Sequence, residues 1–214
     1  MRRRACMTVF VLLQLYLLPA AAHAEFRPGI DFGPSVVWTA YDEKLPEWTT
    51  GDRIDFSGGV TGEVDLGARF GLVTGLRYSG LGNHIDVETS SGTGEAEIHQ
   101  RYLVVPLWLR FDPPELGGFF LQAGPEAGYL LSARATSEVP LPGGGVQETD
   151  DTVTDDLKRS NFSLSGGIGV RRSLGERSLE FVLRYSRGLT DVAEDEEWFS
   201  NWKTRELHLG FGLR

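Results

Sequence analysis

The chain has 214 residues with 21 Lys and Arg against 30 Asp and Glu, and its formal net charge of −9 argues against nucleic acid as a partner. Its single cysteine, Cys6, precedes residue 25, so a chain cleaved after residue 24 has neither a disulfide nor thiol chemistry. No apolar run after residue 24 is long enough for a membrane-spanning helix, so any membrane residence would have to use strands.

Residues 1–24 predict a secretory signal peptide. They contain three arginines at positions 2–4, an apolar run over 9–18 and the small-residue site Ala22-His23-Ala24. Cleavage after Ala24 removes three basic residues and no acidic residue, which leaves 18 bases against 30 acids and a formal charge of −12. The remaining residues, 25–214, are enough for one domain of ordinary size.

Eight segments of alternating apolar and polar residues follow. In the last of them, Leu207, Leu209 and Phe211 alternate with Glu206 and His208. A period of two residues is typical of a β-strand with one apolar face. In chain order the segments span residues 28–40, 55–67, 70–80, 101–111, 119–134, 161–172, 178–186 and 204–214. Prolines at positions 34, 106 and 125 each remove a backbone donor, so we expect β-bulges at those points.

The connections between the segments alternate in length. Long acidic stretches follow the first, third, fifth and seventh segments, whereas short links follow the second, fourth and sixth. This arrangement predicts an antiparallel up-and-down meander with its long loops at one end, and an even number of strands suits a single-chain barrel.

The polar faces of the segments carry charges of both signs in nearly equal number. A soluble barrel with an apolar interior has the same periodicity. Its charged faces would lie in solvent, where a strongly acidic chain has no physical reason to match the numbers of acids and bases. Charges sealed inside a small membrane barrel must be paired, and each Arg turned to lipid would cost about 2–4 kcal/mol. We therefore expect an interior ion-pair network made of Asp31, Glu63, Asp65, Arg77, Arg110, Glu126, Arg134, Arg171, Glu180, Arg184, Glu206 and His208.

Aromatic residues fall toward the two ends of the segments, as in the interfacial belts of membrane barrels. One group is Phe26, Phe70, Phe111, Phe119, Phe181 and Phe211, and the other is Trp38, Tyr41, Tyr78, Tyr102, Phe162 and Tyr185. The sequence thus predicts an all-β, eight-stranded antiparallel up-and-down transmembrane β-barrel over residues 25–214, with both termini in the periplasm and four acidic loops outside.

Five stretches carry a family resemblance. YLVVPLWLRF, GPEAGYLLSAR, SNFSLSGGIGV, LRYSRGLTDV and the closing alternating strand resemble, in order and spacing, the PorT-like family of outer-membrane β-barrel proteins from Gram-negative bacteria. The resemblance covers nearly all of residues 25–214, and its motifs are strand patterns. It implies the barrel fold and a place in the cell outer membrane.

The sequence holds few signals of catalysis or metal binding. His208 with Glu206 and inward-facing serines could form a Ser-His-Glu constellation, but a histidine satisfied within the ion-pair network explains the pattern better, so we expect no enzyme and no cofactor. Two oxygen-rich stretches could hold a divalent ion if they pair across a loop, although hydrated hairpin tips explain them equally well, and metal binding stays open. These stretches are His84, Asp86 and Glu88, and Glu95, Glu97 and His99.

The last long loop predicts a recognition surface. Trp198, Phe199 and Trp202 follow an acidic run there, and exposed aromatics can anchor a partner. We expect contacts with outer-membrane lipid and lipopolysaccharide, with an envelope or extracellular protein as a further candidate partner. Because the bore of an eight-stranded barrel is filled by side chains, the sequence predicts a structural or interaction role. A narrow pore or a small-ligand-binding barrel is the alternative.

Overall fold

A computed structural model describes residues 26–40, 48–89, 92–141, 143, 145–155, 157–191 and 203–214. It contains ten strands and one short 3-10 helix at Pro114–Leu116. The strands are β1 (Phe26–Ala40), β2 (Trp48–Gly51), β3 (Arg53–Asp65), β4 (Phe70–Thr89), β5 (Gly92–Phe111), β6 (Phe119–Pro140), β7 (Val146–Thr152), β8 (Ser160–Leu174), β9 (Arg177–Gly188) and β10 (Lys203–Leu213). The signal peptide expected at residues 1–24 lies outside the described residues.

Eight of the strands close into an antiparallel barrel. Going round the barrel wall, the order is β1, β3, β4, β5, β6, β8, β9 and β10, and β10 returns to β1. The closing pair runs from Ile30 opposite Leu213 to Ala40 opposite Lys203. The predicted fold is confirmed, and each of the eight alternating segments coincides with one barrel strand. In the described part of the chain, no helix has the length and apolar character to cross a membrane.

The barrel has two different ends. At the turn end lie Arg214 and the connections β3–β4, β5–β6 and β8–β9, and the last of these is only two residues long. Gly175 adopts a left-handed conformation there, with φ of 65°, and residues with a side chain rarely adopt this conformation. At the loop end, strands continue beyond the barrel wall. We call this continuation the loop-end sheet, and it consists of β2, residues 81–89 and 92–100, residues 131–140, and β7.

The loop-end sheet differs from the prediction. The alternating pattern places the ends of the third and fourth segments at 80 and 101, yet β4 and β5 stay paired from Gly80 opposite Arg101 to Thr89 opposite Gly92. Likewise β6 continues to Pro140 and pairs with β7. Stretches read as long loops are therefore hairpins, and polar residues and glycines interrupt the apolar face that holds Leu81 and Ile85, so the alternating pattern there is weak.

The apolar faces of the barrel strands point outward. Phe32, Val60, Leu121, Ile168 and Leu209 are each about half exposed, while the alternate positions are buried inside the barrel. Those inner positions carry mostly polar and charged groups, with a few large apolar ones. The barrel therefore has the inverted arrangement of a protein whose outer wall faces acyl chains.

One register shift changes the lining of the barrel. The pairing of β5 with β6 moves between Arg101 opposite Ser132 and Tyr102 opposite Leu130, so Leu131 is an extra residue in β6. Such a bulge exchanges the two faces of the strand beyond it. Ala133 consequently faces inward and is buried, whereas Arg134 is exposed. The prediction that Arg134 belongs to the interior network is wrong for this reason.

The three strand prolines do not cause bulges. The register is unchanged on either side of Pro34, Pro106 and Pro125. Close strand packing instead depends on glycine. A Cβ placed on Gly59 would lie 2.1 Å from the carbonyl oxygen of Leu76 on the neighbouring strand, which is shorter than any tolerated contact. The wall at β3–β4 therefore requires glycine at this position.

Candidate functional site

A cluster of ions closes the turn end of the bore. We call Glu63, Asp112, Arg110, Arg171, Glu180 and Arg214 the turn-end cluster. Nη1 of Arg110 donates to Glu63 at 2.9 Å and to Glu180 at 2.7 Å, and its Nη2 donates to Gln122 at 3.1 Å. Three arginines meet three carboxylates, so the formal charges of the cluster cancel.

Arg171 and an aromatic ring complete this layer. Arg171 donates to Glu63 at 2.6 Å, to Glu180 at 2.8 Å and to Asp112 at 2.8 Å. The guanidinium of Arg110 lies 4.1 Å from the ring centroid of Phe120, within cation–π range. Since both side chains are almost wholly buried, the contact excludes water from the middle of the layer.

A tryptophan forms the centre of the next layer. Trp108 is 1% exposed, and the guanidinium of Arg184 lies 3.9 Å from its ring centroid, with that of Arg77 at 5.7 Å. The indole Nε1 donates to Ser165 at 2.7 Å. Asp31 lies 3.4 Å from Arg77 and 3.5 Å from Arg184. We call these residues, with Glu126, Glu206 and His208, the middle layer.

His208 contacts a serine and an aspartate within the middle layer. Its Nδ1 lies 3.0 Å from Oγ of Ser57, and its Nε2 lies 3.6 Å from Oδ1 of Asp31. Arg77 donates to the same Ser57 oxygen at 2.9 Å. All four residues are buried. The histidine partner is thus Asp31, whereas the sequence suggested Glu206, and the serine oxygen is held inside the wall.

Apolar side chains close the loop end of the bore. We call Val37, Leu81, Tyr102, Val104, Leu130, Ala133 and Leu157 the apolar plug. Leu157 comes from the segment after β7, which is tied down by Thr154 through hydrogen bonds with both backbone groups of Ala133. Tyr102 is fully buried in the plug, so its expected place in an outer aromatic belt is wrong. The belt residue Tyr41 lies outside the described residues.

A small cavity separates the middle layer from the apolar plug. It has a volume of about 20 Å³ and touches Arg77, Glu206, Tyr102 and Ser186. That volume is close to the space of a single water molecule. The part of the bore around this cavity is consequently closed to solutes.

Most residues predicted for the interior network do meet there. Asp31, Glu63, Arg77, Arg110, Glu126, Glu180, Arg184, Glu206 and His208 are all buried, and Arg171 is 13% exposed. Asp65 lies at the turn-end rim, is partly exposed and pairs with Arg27. Arg134 is outside and lies 3.3 Å from Asp150 of β7.

Two arginines of the bore were missed by the sequence reasoning. Arg214 has the same parity as Glu206 and His208, and Arg27 has the same parity as Asp31, so a slight extension of the alternating pattern would have found both. Arg27 contacts Glu63 at 3.2 Å, and Arg214 contacts Glu63 at 3.3 Å and Glu180 at 3.0 Å.

The candidate metal residues lie in the loop-end sheet. The two arms pair as the metal hypothesis requires, with His84 opposite Glu97 and Asp86 opposite Glu95. However, Nη1 of Arg53 lies 3.2 Å from Glu97 and 3.0 Å from His99. The guanidinium of Arg53 therefore occupies the place where a metal ion would bind. Within the described ranges, no three His, Cys, Asp or Glu side chains are arranged to hold a metal ion.

Glu97 is held in its charged form by its neighbours. Partial burial opposes ionisation, but the charge of Arg53, the charge of His99 and hydrogen bonds from His84 and His99 lower the pKa of Glu97 from its usual 4.5. The contacts are 3.4 Å from His84 Nδ1 and 3.0 Å from His99 Nε2. The cluster links β3, β4 and β5 just beyond the barrel wall.

A row of carboxylates crosses the loop-end sheet. Asp86 lies opposite Glu95, Glu95 opposite Glu138, and Glu138 opposite Glu148, so four neighbouring strands each place an acid at the same level. Like charges directly opposite each other repel, which makes this row a strongly negative surface. The predicted recognition residues Trp198, Phe199 and Trp202 lie outside the described residues.

Comparison with known proteins agrees with this architecture. A family model described as outer membrane protein beta-barrel domain matches residues 31–194. The chain belongs to this family. No curated protein matches the sequence.

Three solved barrels are similar in fold. Neisserial surface protein A is 12% identical with a TM-score of 0.44, and the match covers 88% of this chain and 97% of that one. Ail of Yersinia pestis is 14% identical with a TM-score of 0.44, covering 87% and 96%. OprG of Pseudomonas aeruginosa is 16% identical with a TM-score of 0.38, covering 90% and 97%.

Family membership shows that lipid surrounds the outer wall of the barrel. The protein lies in the outer membrane, so the exposed apolar residues of the wall face lipid. Phe181 and Phe211 make an edge-to-face pair with centroids 5.3 Å apart toward the turn end, and Trp38 and Tyr185 lie 6.1 Å apart toward the loop end. These pairs lie where the interfacial aromatic belts of a membrane barrel are expected.

Proposed function

We propose that the protein is a closed, non-conducting and non-catalytic outer-membrane barrel that acts through contacts made at its loop end. The filled bore supports this proposal, because the turn-end cluster, the middle layer and the apolar plug follow one another along it. A ligand-binding barrel needs a cavity of several hundred Å³, whereas the cavity beside Arg77 and Glu206 is about 20 Å³. Neither a pore nor an internal ligand site is favoured.

Electrical recording in planar bilayers tests the proposal. The folded barrel, checked by heat-dependent gel mobility, should give no conductance steps in molar salt. The variant L130A/L157A should stay silent too, because the turn-end cluster still closes the bore. Stable steps from the wild-type barrel would instead support the narrow pore.

The absence of catalysis is tested at Ser57 and His208. Their 3.0 Å contact is shaped like part of a hydrolytic site, but Ser57 is 1% exposed and is bonded by Arg77. The variants Ser57→Ala and His208→Ala should hydrolyse lipid and ester substrates no differently from the wild type. An esterase activity lost in both variants would overturn this part of the proposal.

The loop end is proposed to face the cell exterior. Its support is the exposed, acidic β7 with the carboxylate row beside it, opposite an end that carries short turns. Thr149→Cys places one thiol on β7, since the chain after residue 24 has no cysteine. A membrane-impermeant maleimide should label it in intact cells, and labelling only after lysis would reverse the orientation.

Two finer assignments accompany this function. We place the chain among PorT-like barrels on the strength of the five sequence stretches, and we propose that residues 1–24 are removed on export. Sequencing of the purified protein should begin at Glu25. Envelope or extracellular proteins that carry positive charge are the partners that suit the carboxylate row.

A further inference from the structure

We propose that the outer wall at the loop end binds one lipid A molecule, with Arg187 and Arg205 contacting its phosphates. The site lies on the lipid-facing side of β8, β9 and β10. It extends the proposed function and rests on the orientation given there, because lipid A belongs to the outer leaflet. Three features support the site: cations that form no ion pair with the described residues, a groove below them and an aromatic pair beside them.

The cations lie side by side on neighbouring strands. Arg187 of β9 is directly opposite Arg205 of β10, and both point outward because Ser186 and Glu206 are buried. Like charges at such a position repel, unless an anion lies between them. Lys203, two residues before Arg205, has the same parity and adds a third positive charge. Within the described residues, no ion pair is formed by any of the three.

A groove of about 500 Å³ lies next to these cations. Ala123 lies opposite Gly166, and Gly166 opposite Tyr185, so two of three adjacent outward positions have almost no side chain. Leu164 and Leu189 line the groove, and Arg187 and Lys203 border it. Leu164 lies opposite Arg187, and Gly166 is the next outward-facing residue of β8 toward the turn end. The groove at Gly166 is therefore nearer the membrane centre than Arg187.

The surroundings set the depth of the site. Trp38 lies opposite Arg205, and its ring meets that of Tyr185 across β10. Paired aromatics of this kind lie at the level of lipid headgroups. The cations are therefore at the height of phosphate, and the groove is at the height of the acyl chains.

Charge complementarity selects the occupant. Two or three clustered cations suit a lipid with two phosphates better than one with a single phosphate, and guanidinium binds phosphate through paired hydrogen bonds. The acidic loop-end sheet above would repel free polyanions from solution. A lipid reaches the wall laterally and avoids that repulsion.

Matched variants separate the site from general charge effects. R187Q/R205Q removes the two facing arginines. The control R101Q/R177Q removes two exposed arginines elsewhere, one on β5 toward the loop end and one at the turn end. Gly166→Leu fills the groove without removing charge, and it should fold normally because a Cβ at Gly166 meets nothing closer than 3.9 Å.

Native mass spectrometry of the delipidated, refolded barrel tests the proposal with bisphosphorylated lipid A, monophosphorylated lipid A and phosphatidylglycerol as probes. The wild type should retain one bisphosphorylated lipid A. R187Q/R205Q should bind it at least about tenfold more weakly. Gly166→Leu should weaken it several-fold, and R101Q/R177Q should bind like the wild type.

Three results would overturn the site: equal losses in both arginine pairs, unchanged binding by R187Q/R205Q, or equal retention of phosphatidylglycerol. These outcomes can be distinguished from a failure of the proposed function. Conductance and surface labelling of Thr149→Cys report on the bore and the orientation, whereas lipid retention in detergent reports only on the outer wall.

Discussion

The two ends of the bore are closed by different kinds of interaction. At the turn end, Arg110 donates hydrogen bonds to Glu63, Glu180 and Gln122, and almost every contact is between charged groups. At the loop end, Leu130 and Leu157 pack with Tyr102, and no charge takes part. The structure of the turn end therefore depends on hydrogen-bond direction and charge pairing, whereas that of the loop end depends on the packing of apolar side chains.

This difference predicts different responses to substitution. Removing one member of a buried ion cluster leaves its partners charged and uncompensated, so the loss is large and local. Removing an apolar side chain leaves a cavity whose cost depends on how far the neighbours can relax. Variants at the two ends should therefore lose stability by different amounts.

Among the truncations to alanine, Arg110→Ala should destabilise the barrel the most. Glu180 and Glu63 would keep their charge and lose their contacts with Arg110 at 2.7 and 2.9 Å, for an expected loss of about 3–5 kcal/mol in free energy of unfolding. Urea unfolding in lipid bilayers measures it. Arg69→Ala, which breaks an exposed pair with Glu115, should change stability by about 1 kcal/mol or less. Similar losses in both variants would mean that the turn-end cluster is well solvated.

Leu130→Ala should have a smaller effect at the other end. The side chain is fully buried in the apolar plug, and its truncation should cost about 2–4 kcal/mol. Conductance should stay absent because the turn-end cluster is untouched. The same unfolding measurement, paired with bilayer recording, checks both points, and an ion current from this variant would show that the plug is the main seal.

Acidification should loosen the loop-end sheet before the barrel. The pKa of Glu97 is lowered in the folded state, so its contribution is present above the unfolded value near 4.5 and is lost as the pH falls through the lower, folded value. The protection factors of the amides at residues 92–100, which correct for the slower chemical exchange at lower pH, should therefore fall modestly in that acidic range. Glu97→Gln should abolish the pH dependence, and its persistence in that variant would assign it to another group.

Arg134→Ala should have the smallest effect. The side chain is exposed and pairs with Asp150 only at the surface, so the expected change is within about 0.5 kcal/mol. Ala133→Arg, one residue earlier, should prevent folding because position 133 is buried in the apolar plug. If Arg134→Ala strongly destabilised the barrel and Ala133→Arg still folded, the bulge would have to lie at another position in β6.

The sequence predicts the faces of the strands better than their contacts. Alternation alone puts Arg77, Arg110 and Arg184 on the inner side, because a strand has a strict period of two residues. It does not predict that Asp31 approaches His208, since the height at which two inner residues meet depends on the stagger of all eight strands around the closed wall.

Two further features escape the pattern for physical reasons. The bulge at Leu131 has no signature in a run of small and apolar residues, and it moves the inward positions of β6 from even to odd residue numbers. In the loop-end sheet, polar residues and glycines interrupt the apolar face that holds Leu81 and Ile85, so its periodic signal is weak. Site prediction failed for Arg134 where both features coincide.

The extra residue at Leu131 has an evolutionary consequence. Loss of the Leu131 codon would remove the bulge and restore regular pairing, with Leu130 and Ala133 still facing inward and Arg134 still outside. The same deletion elsewhere in β6 would instead exchange the two faces of the strand. The bulge therefore gives the lineage one position in this strand where length can vary while the lining of the barrel mouth stays the same.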